Sequence, residues 1–427
     1  MILLYRVVTT LLYPLLILLI IFRKTLNKED KIRFKEKLFK SNFNIQRKEN
    51  IKLIWFHAAS IGEMKSIFPI INELNKKNKN LGFLITTITL SSGILAYHEL
   101  KKFKNVQHRY FPLDVDFLIK DFLLKWKPDA IFLVDSEIWP NLILNSKKLK
   151  IPIAIINGRI TKRSFNRWIF FSSAAKKIFN IFNLCLSSSI QTKEYLEKLN
   201  AKNVIFAGNI KLINDSNLKE FKNINEKFLS RNKFWLAVST HKNEELLCIK
   251  VHQKLKYKFL NLITIIAPRH IDRVNSIKKI CDNHQLKSQI LTGKEIINDK
   301  NEIIIINSFG GLNSFYKYAK SVFVGKSTER RLKYEGGQNP IEAAKYGCKV
   351  YHGPFVDNFK DIYSFLKSKS ISQEFKNANQ LANFLNYDLK KSTKDFTKNI
   401  NSINEKSEKT LNDTMKNINK FLRNEIN

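Results

Sequence analysis

Four cysteines in 427 residues, Cys185, Cys248, Cys281 and Cys348, stand far apart with no CxxC pair. That excludes a disulfide framework and a cysteine-based zinc site, and it fits a reducing compartment. Glycine is sparse at 13 residues, and neither a Walker P-loop nor a GxGxxG turn after a strand occurs, nor any repeat of short period. Acid is scarcest relative to its opposite: 37 Asp and Glu face 74 Lys and Arg, a net charge of +37. So basic a chain calls for an anionic partner or surface, and nucleic acid and anionic lipid both qualify. Part of the excess is a general enrichment in Lys, Asn and Ile that runs through every surface segment.

The first residues favour lipid. Met1 to Phe22 is almost wholly apolar, with Arg6 its single charge, and a bilayer core needs about 20 such residues. Phe22-Arg23-Lys24 follows in place of a small-residue cleavage site, so an uncleaved single-pass anchor over 1–22 is expected. The cations after it, Lys28, Lys31, Arg33, Lys35 and Lys37 among them, put the rest of the chain on the cytoplasmic side and attract anionic lipid.

Beyond the anchor, apolar runs alternate with amphipathic stretches: Ile51–Phe56, Leu81–Thr86, Ala130–Val134, Ile151–Ile156 and Val204–Ala207. The rhythm lapses over 214–233 and resumes with Trp235–Val238, Leu262–Ala267, Glu302–Ile306, Ser321–Val324 and Lys349–Tyr351. Two parallel α/β domains are expected, over 23–213 and 234–427, with 214–233 as linker. The tail from Asn377 reads as helical and solvated. Such domains would set the carboxyl ends of two sheets across a cleft, an arrangement suited to group transfer.

Chemistry-bearing residues cluster where strands end. Trp55-Phe56-His57-Ala58-Ala59-Ser60-Ile61-Gly62-Glu63 runs from a strand through a small-residue turn into a helix, in which Pro69 predicts a kink or restart. Glu63 is either a helix-end acid or a catalytic base, and local pattern leaves both open. Asp135 and Glu137 follow the strand Ala130–Val134, before Trp139-Pro140, as substrate-holding carboxylates or as a turn former and a surface charge. Arg159, with Lys162 and Arg163, follows a glycine turn and suits phosphate or carboxylate, or is a solvated loop. Lys211 closes the first domain after Gly208-Asn209.

In the second half, Ser239-Thr240-His241 precedes a helix start and suits either an anion or simple capping. Pro268-Arg269-His270 and Phe309-Gly310-Gly311 each follow an apolar strand. Gly336-Gly337-Gln338-Asn339-Pro340-Ile341-Glu342 passes from a glycine loop into a helix, where Glu342 can accept sugar hydroxyls.

Together, in this order, these segments resemble the bacterial 3-deoxy-D-manno-octulosonic acid (Kdo) transferases of lipopolysaccharide synthesis. The carrying residues are His57–Glu63, Glu137-Ile138-Trp139-Pro140-Asn141-Leu142, Asn157-Gly158-Arg159, Gly208-Asn209-Ile210-Lys211, Ser239-Thr240-His241, Pro268-Arg269-His270 and Gly336–Glu342. The resemblance implies a GT-B glycosyltransferase, two Rossmann-like domains facing a cleft, that works without metal or other cofactor. It implies CMP-Kdo as donor, a lipid A precursor (lipid IVA) as acceptor, an inner-membrane location, and no nucleic-acid partner. By resemblance, Glu63 is the base, while Asp135 or Glu137 and Lys211 stabilise the transition state. CMP contacts map to Pro268, Arg269, Phe309, Gly310, Gly311, Asn339, Pro340, Ile341 and Glu342, with Arg159, Ser239, Thr240 and His241 as further anion-binding candidates. Departures from the family pattern are Asp135 for a usual Glu, Phe309-Gly310-Gly311 for a usual Met-Gly-Glu, Gln338 for a usual His, and a cationic stretch over 327–334. Two other readings compete: a different membrane-associated GT-B enzyme, using a UDP-sugar for example, and a non-catalytic anchored binder of lipid or nucleic acid.

Overall fold

The alternating apolar runs become two wholly parallel sheets of seven strands each in the computed structural model, which describes residues 1–47, 50–213, 223–293, 295–308, 311–391 and 397–426. The first sheet holds β1 (Lys52–His57), β2 (Leu81–Thr87), β3 (Val106–Tyr110), β4 (Ala130–Val134), β5 (Ile153–Gly158), β6 (Leu184–Ser187) and β7 (Val204–Phe206). Its spatial order is β3-β2-β1-β4-β5-β6-β7. The chain walks outward from β1, returns to β4 on its other side and walks out again, so the strand order reverses between β1 and β4. In open α/β sheets that reversal point, at the carboxyl ends of the strands, is where ligands bind. Ile54 aligns with Phe83 on one side and Ala130 on the other.

The second sheet repeats this plan. It holds β8 (Phe234–Thr240), β9 (Ile263–Pro268), β10 (Ser288–Leu291), β11 (Ile303–Ile306), β12 (Ser321–Val324), β13 (Lys349–His352) and β14 (Ser372–Glu374), in the order β10-β11-β9-β8-β12-β13-β14. The reversal here lies between β8 and β12. Central strands such as Ile303–Ile306 are apolar at every position because helices cover both faces of a parallel sheet.

The chain divides into one unit of Met1–Asp215 with Ser407–Asn427 and another of Ser216–Lys406. Helices of the first unit include α1 (Ile2–Leu11), α2 (Tyr13–Thr25), α3 (Ile61–Lys77), α4 (Leu90–Glu99), α5 (Asp116–Trp126), α6 (Pro140–Lys148), α7 (Lys162–Phe170) and α8 (Ser172–Phe179). Alternation along β1 splits its side chains between two cores. Ile54 and Phe56 join Met64, Ile67 and Ile71 of α3, whereas Trp55 joins Leu118, Phe122, Leu142 and Phe179 from α5, α6 and α8. All four cysteines are buried free thiols.

Three features differ from the sequence expectation. The helix does not restart at Pro69: α3 is one helix from Ile61 to Lys77 with Pro69 inside it. The polar stretch over 214–233 is not all connector, since Glu226–Arg231 is helical; residues 214–222 lie outside the described residues. The tail is not solvated. Ala378–Lys390 buries Leu381, Leu385 and Leu389 in the second unit. The last helix, Thr397–Ile426, returns Met415, Ile418, Phe421 and Leu422 to the first unit's core. Its apolar stripe keeps three- and four-residue spacing, and each such side chain is worth about 1.5–3 kcal/mol when buried.

The amino terminus departs most. In place of one helix over 1–22, α1 and α2 meet at Leu12 with a bend of 56°, and no single helix among the described residues is long and apolar enough to cross a membrane. Both helices are docked on the first unit. The Tyr5 hydroxyl donates to Asp114 (2.9 Å), Arg6 pairs with Asp116 (3.1 Å), and Ile20 is buried against Phe34 and Leu38.

Candidate active site

At the reversal point of the first sheet, β1 ends at His57 and Ser60 caps α3. Glu63 stands at the third helical position. Its Oε2 accepts the Ala59 N–H (2.7 Å), its Oε1 accepts the Ser60 hydroxyl (2.8 Å), and its own N–H donates to Ser60 Oγ (3.4 Å). This is a capping box in which the carboxylate reaches the Ala59 N–H and the Ser60 hydroxyl rather than the cap residue's own N–H, so the helix-end role is real. It does not exhaust the residue. Burial, and then the negative charges of Asp135 and Glu137, push the Glu63 carboxyl up to about 7, against the opposing pull of Lys211 and Ser60. A carboxyl at that value is matched to proton transfer near neutral pH.

The two carboxylates after β4 have separate surroundings. Asp135 adopts a left-handed conformation (φ 66°) that turns the chain at the strand end. Its buried side chain is ion-paired with the Lys211 ammonium, lies 3.9 Å from Arg159 and accepts the Ser136 hydroxyl at 3.0 Å. Burial alone would raise this carboxyl, but Lys211 and Arg159 outweigh it and hold it below the usual carboxylate range. Lys211 is aimed by local bonds: Asn157 Oδ1 accepts the Ile210 N–H (2.9 Å) and Asn209 Oδ1 accepts that of Lys211 (3.0 Å).

Glu137 faces nitrogen donors instead. Its Oε2 accepts the Trp139 indole N–H (2.8 Å) and lies 3.3 Å from His57 Nε2. His57 is fully buried and stacked on Phe111 at 4.1 Å. Behind it, Thr86 Oγ1 is 2.9 Å from His57 Nδ1 and also 2.9 Å from the Trp55 indole nitrogen. A carboxylate only accepts, so Nε2–H is the atom directed at Glu137, and Nδ1 faces the Thr86 hydroxyl. The motif His57–Glu63 does not by itself reveal this contact. Its signal was a histidine inside an otherwise apolar strand, which must find polar partners once buried.

Glu63, Asp135, Glu137, Arg159 and Lys211 therefore come together at one sheet edge, from the ends of β1, β4 and β5 and the turn after β7. Two carboxylates and two cations thus surround the raised carboxyl of Glu63.

In the second unit the singled-out segments again follow carboxyl ends of strands. The helix Glu244–Lys256 after β8 is not capped by Ser239 or Thr240, contrary to the capping expectation; Asn243 precedes it without a side-chain cap. Its own carboxylates occupy that position. Glu244, fully buried, accepts the backbone N–H groups of His241 (2.9 Å), Lys326 (2.7 Å), Ser327 (2.9 Å) and Thr328 (3.1 Å). Glu245 accepts the Thr240 hydroxyl (2.9 Å) and both Arg273 terminal nitrogens (2.6 and 2.9 Å). Burial lowers the His241 imidazole.

Pro268 pairs with Thr240 in register, the Arg269 N–H donates to Thr240 O (3.0 Å), and the Arg269 side chain is exposed. Phe309 and Gly310 lie outside the described residues; Gly311 is left-handed (φ +77°), with open space where a Cβ would stand. Glu244 fixes the start of the glycine loop after β12. Further along, a Cβ at Gly336 would stand 2.3 Å from Phe355 O, and Gly337 has φ +90°, so only glycine fits these two positions. Pro340 lies one residue before the short helix Ile341–Lys345, whose first residue donates its N–H to Asn339 Oδ1 (3.1 Å). The Glu342 charge raises the Tyr316 and Tyr346 hydroxyls beyond what burial does, which places all three groups together.

The chain is similar to known proteins both in sequence and in fold. Residues 32–214 match the model of the 3-deoxy-D-manno-octulosonic-acid transferase (kdotransferase) family. A 3-deoxy-D-manno-octulosonic acid transferase of Rickettsia bellii is 28% identical over 387 residues, 90% of each chain. That of Haemophilus influenzae is 28% identical over 323 residues, 73% of each. Among solved structures, a glycosyltransferase from Rickettsia africae superposes with TM-score 0.57 at 15% identity, covering 88% of this chain and 98% of its own. A UDP-N-acetylglucosamine 2-epimerase from Listeria monocytogenes does so with TM-score 0.53 at 11% identity, covering 82% and 93%. These structural likenesses establish the fold: GT-B, with two Rossmann-like halves.

Proposed function

We propose, on the premise that the chain is a member of the Kdo transferase family of glycosyltransferases, that it moves Kdo from CMP-Kdo to a lipid A precursor, lipid IVA, with inversion. An acceptor hydroxyl forms the new bond to the ketosidic carbon of Kdo, the bond from that carbon to the CMP phosphate breaks, and Glu63 takes the hydroxyl proton. The observation that carries this reading is the Glu63 carboxyl, pushed up to about 7 at the reversal point of the first sheet. One base suffices for a single displacement, and no second nucleophile is required.

Lys211, held on Asp135, supplies positive charge as the phosphate departs, and Glu137 complements the oxocarbenium character of the sugar. Pro268, Arg269, Phe309, Gly310, Gly311 and Asn339–Glu342 are assigned to CMP, with Glu342 on the ribose hydroxyls. Arg159 belongs with the anion-holding group around Asp135. Ser239, Thr240 and His241 are further anion-binding candidates, through groups other than the Thr240 hydroxyl and the His241 backbone N–H, which Glu245 and Glu244 engage. The enzyme works at the cytoplasmic face of the inner membrane, where anionic lipid meets its cations.

Purified enzyme with CMP-Kdo and tetra-acylated precursor, followed by mass spectrometry, should yield product heavier by whole Kdo units. CMP should compete for the donor site and UDP should not. Competition by UDP with no Kdo product would favour the UDP-sugar reading instead.

His57 is a positioning residue in this scheme. His57→Phe keeps the stack on Phe111 but removes the donor to Glu137. Turnover is expected to fall about 10-fold or more, the effect of losing a hydrogen bond to a charged group worth about 1.5–3 kcal/mol, with unchanged CMP affinity. His57→Gln, which restores an N–H of similar reach, should recover much of the loss. Equal loss in both variants would reduce His57 to packing.

A further inference from the structure

We infer that the second unit carries a binding site for a compact organic phosphate at the amino edge of its sheet, opposite the edge assigned to CMP. The site is a cavity of about 370 Å³ bounded by the segments 229–234 and 317–320 and by Leu389. Small-molecule sites run from about 300 to 1,000 Å³, so the cavity is large enough for such a ligand. It belongs wholly to one unit.

Strand pairing builds it. β8 begins at Phe234 and β12 at Ser321, and Val322 aligns with Leu236, so the residues that lead into the two strands stand side by side. Lys233 and Lys320 are those residues. The segments assigned to the donor follow the opposite ends of the strands, and β8, seven residues long, sets the two edges about 20 Å apart. A ligand here shares no residue with the donor.

The cavity has an apolar floor and a cationic mouth. Leu229, Phe234 and Leu389 are buried, whereas Arg231, Lys233 and Lys317 are exposed and Lys320 is partly so. Four of the ten lining residues are cations and none is acidic, a local excess beyond that of a chain with 74 cations and 37 acids in 427 residues. Arg231 closes the helix Glu226–Arg231, where a cation complements the helix dipole. Lys233 and Lys320 close no helix, and like charges set side by side repel. Burial and the Lys233 charge make the Lys320 ammonium easier to deprotonate, against the opposing pull of Asp388.

The neighbouring groups compensate this charge only in part. Glu226 approaches Lys317 to 3.9 Å, with both side chains half-exposed. Asp388 already accepts the Ser321 and Tyr351 hydroxyls (2.7 and 2.6 Å), and Lys320 Nζ donates to the neutral Lys391 O. Lys233 rests over the Phe259 ring at 4.8 Å, a contact that leaves its charge in place. A phosphate monoester carries about −1.5 to −2 at pH 7. One such group shared by Arg231, Lys233 and Lys320 offsets the repulsion that strand pairing imposes, while its organic body covers Leu229, Phe234 and Leu389. An inorganic ion would leave that floor bare.

The test titrates phenyl phosphate and inorganic phosphate into the full chain by calorimetry. It uses neither Kdo donor nor acceptor, so its outcome stands apart from the proposed reaction. Phenyl phosphate should bind saturably, more tightly than inorganic phosphate, and should shield Lys233 and Lys320 from acetylation read by mass spectrometry. Arg231→Ala with Lys233→Ala should weaken phenyl phosphate about 10-fold or more, the effect of losing hydrogen bonds to a charged group, at an unchanged thermal midpoint. Lys176→Ala with Lys177→Ala removes the same charge from exposed positions of α8 and should leave that binding unchanged. Equal weakening by the two double variants would reduce the effect to net charge and overturn the site, as would unshielded lysines. Inorganic phosphate binding as tightly as phenyl phosphate would overturn the organic occupant.

Discussion

Replacing Glu63 by Gln is expected to slow Kdo transfer by about 100- to 10,000-fold, the range for loss of a general base, while CMP affinity stays unchanged. Gln retains an acceptor for the Ala59 N–H and a partner for Ser60, so the capping box persists and the thermal midpoint should hardly move. Glu63→Ala removes both roles and should add a stability loss of about 1 kcal/mol. Comparison of the two variants separates base from cap. The pH profile gives an independent reading. A base must be deprotonated to act, and this carboxyl is pushed up to about 7, so kcat/KM should rise with pH up to about 7 and level off above it. A profile already flat from pH 5 would rule Glu63 out as the base.

Strand positions were legible wherever a parallel strand is buried on both faces, because the run then contains no polar residue: Ile303–Ile306 and Ala130–Val134 are of this kind. β3, β10 and β14 did not announce themselves, being edge or near-polar strands. In β3, Arg109 faces outward to donate to Asn44 O, and Gln107 to Gln46 O, so its composition reads as surface. The interior strand β6 was missed for shortness, with three apolar residues, Leu184-Cys185-Leu186, before its serines. The carboxyl-terminal helix was read as solvated because its apolar stripe is diluted by Asn and Lys, and no local pattern tells which core a stripe will join. At the site, residues at strand ends could be located from sequence. The division of labour between Asp135 and Glu137 could not, since it depends on Lys211 and His57, which arrive from 76 and 80 residues away.

Lys211→Ala should be the most damaging single change to the folded state of the first unit. It strands a buried carboxylate, leaving Asp135 with Arg159 at 3.9 Å and the Ser136 hydroxyl. Removal of one partner of a buried pair costs about 3–5 kcal/mol, a large fraction of a typical stability of about 5–15 kcal/mol. Chemical denaturation followed by tryptophan fluorescence should register it. Asp135→Asn with Lys211→Ala removes the stranded charge and should recover much of that loss, yet transfer should stay impaired on the proposal that Lys211 is the cation that meets the leaving phosphate. The sign on Glu63 discriminates further. Lys211 pulls the Glu63 carboxyl down and Asp135 pushes it up, so Lys211→Ala should move the acid limb of kcat/KM above 7 and Asp135→Asn should move it below. Stability has its own pH signature. The folded Asp135 carboxyl is depressed, so its contribution is present above the ordinary aspartate value of about 3.9 and is lost as pH falls through the depressed one. Wild type should therefore lose stability in that acid window, and Lys211→Ala should lose less there. Identical acid limbs in wild type and both single variants would show that the ion pair does not set the Glu63 proton.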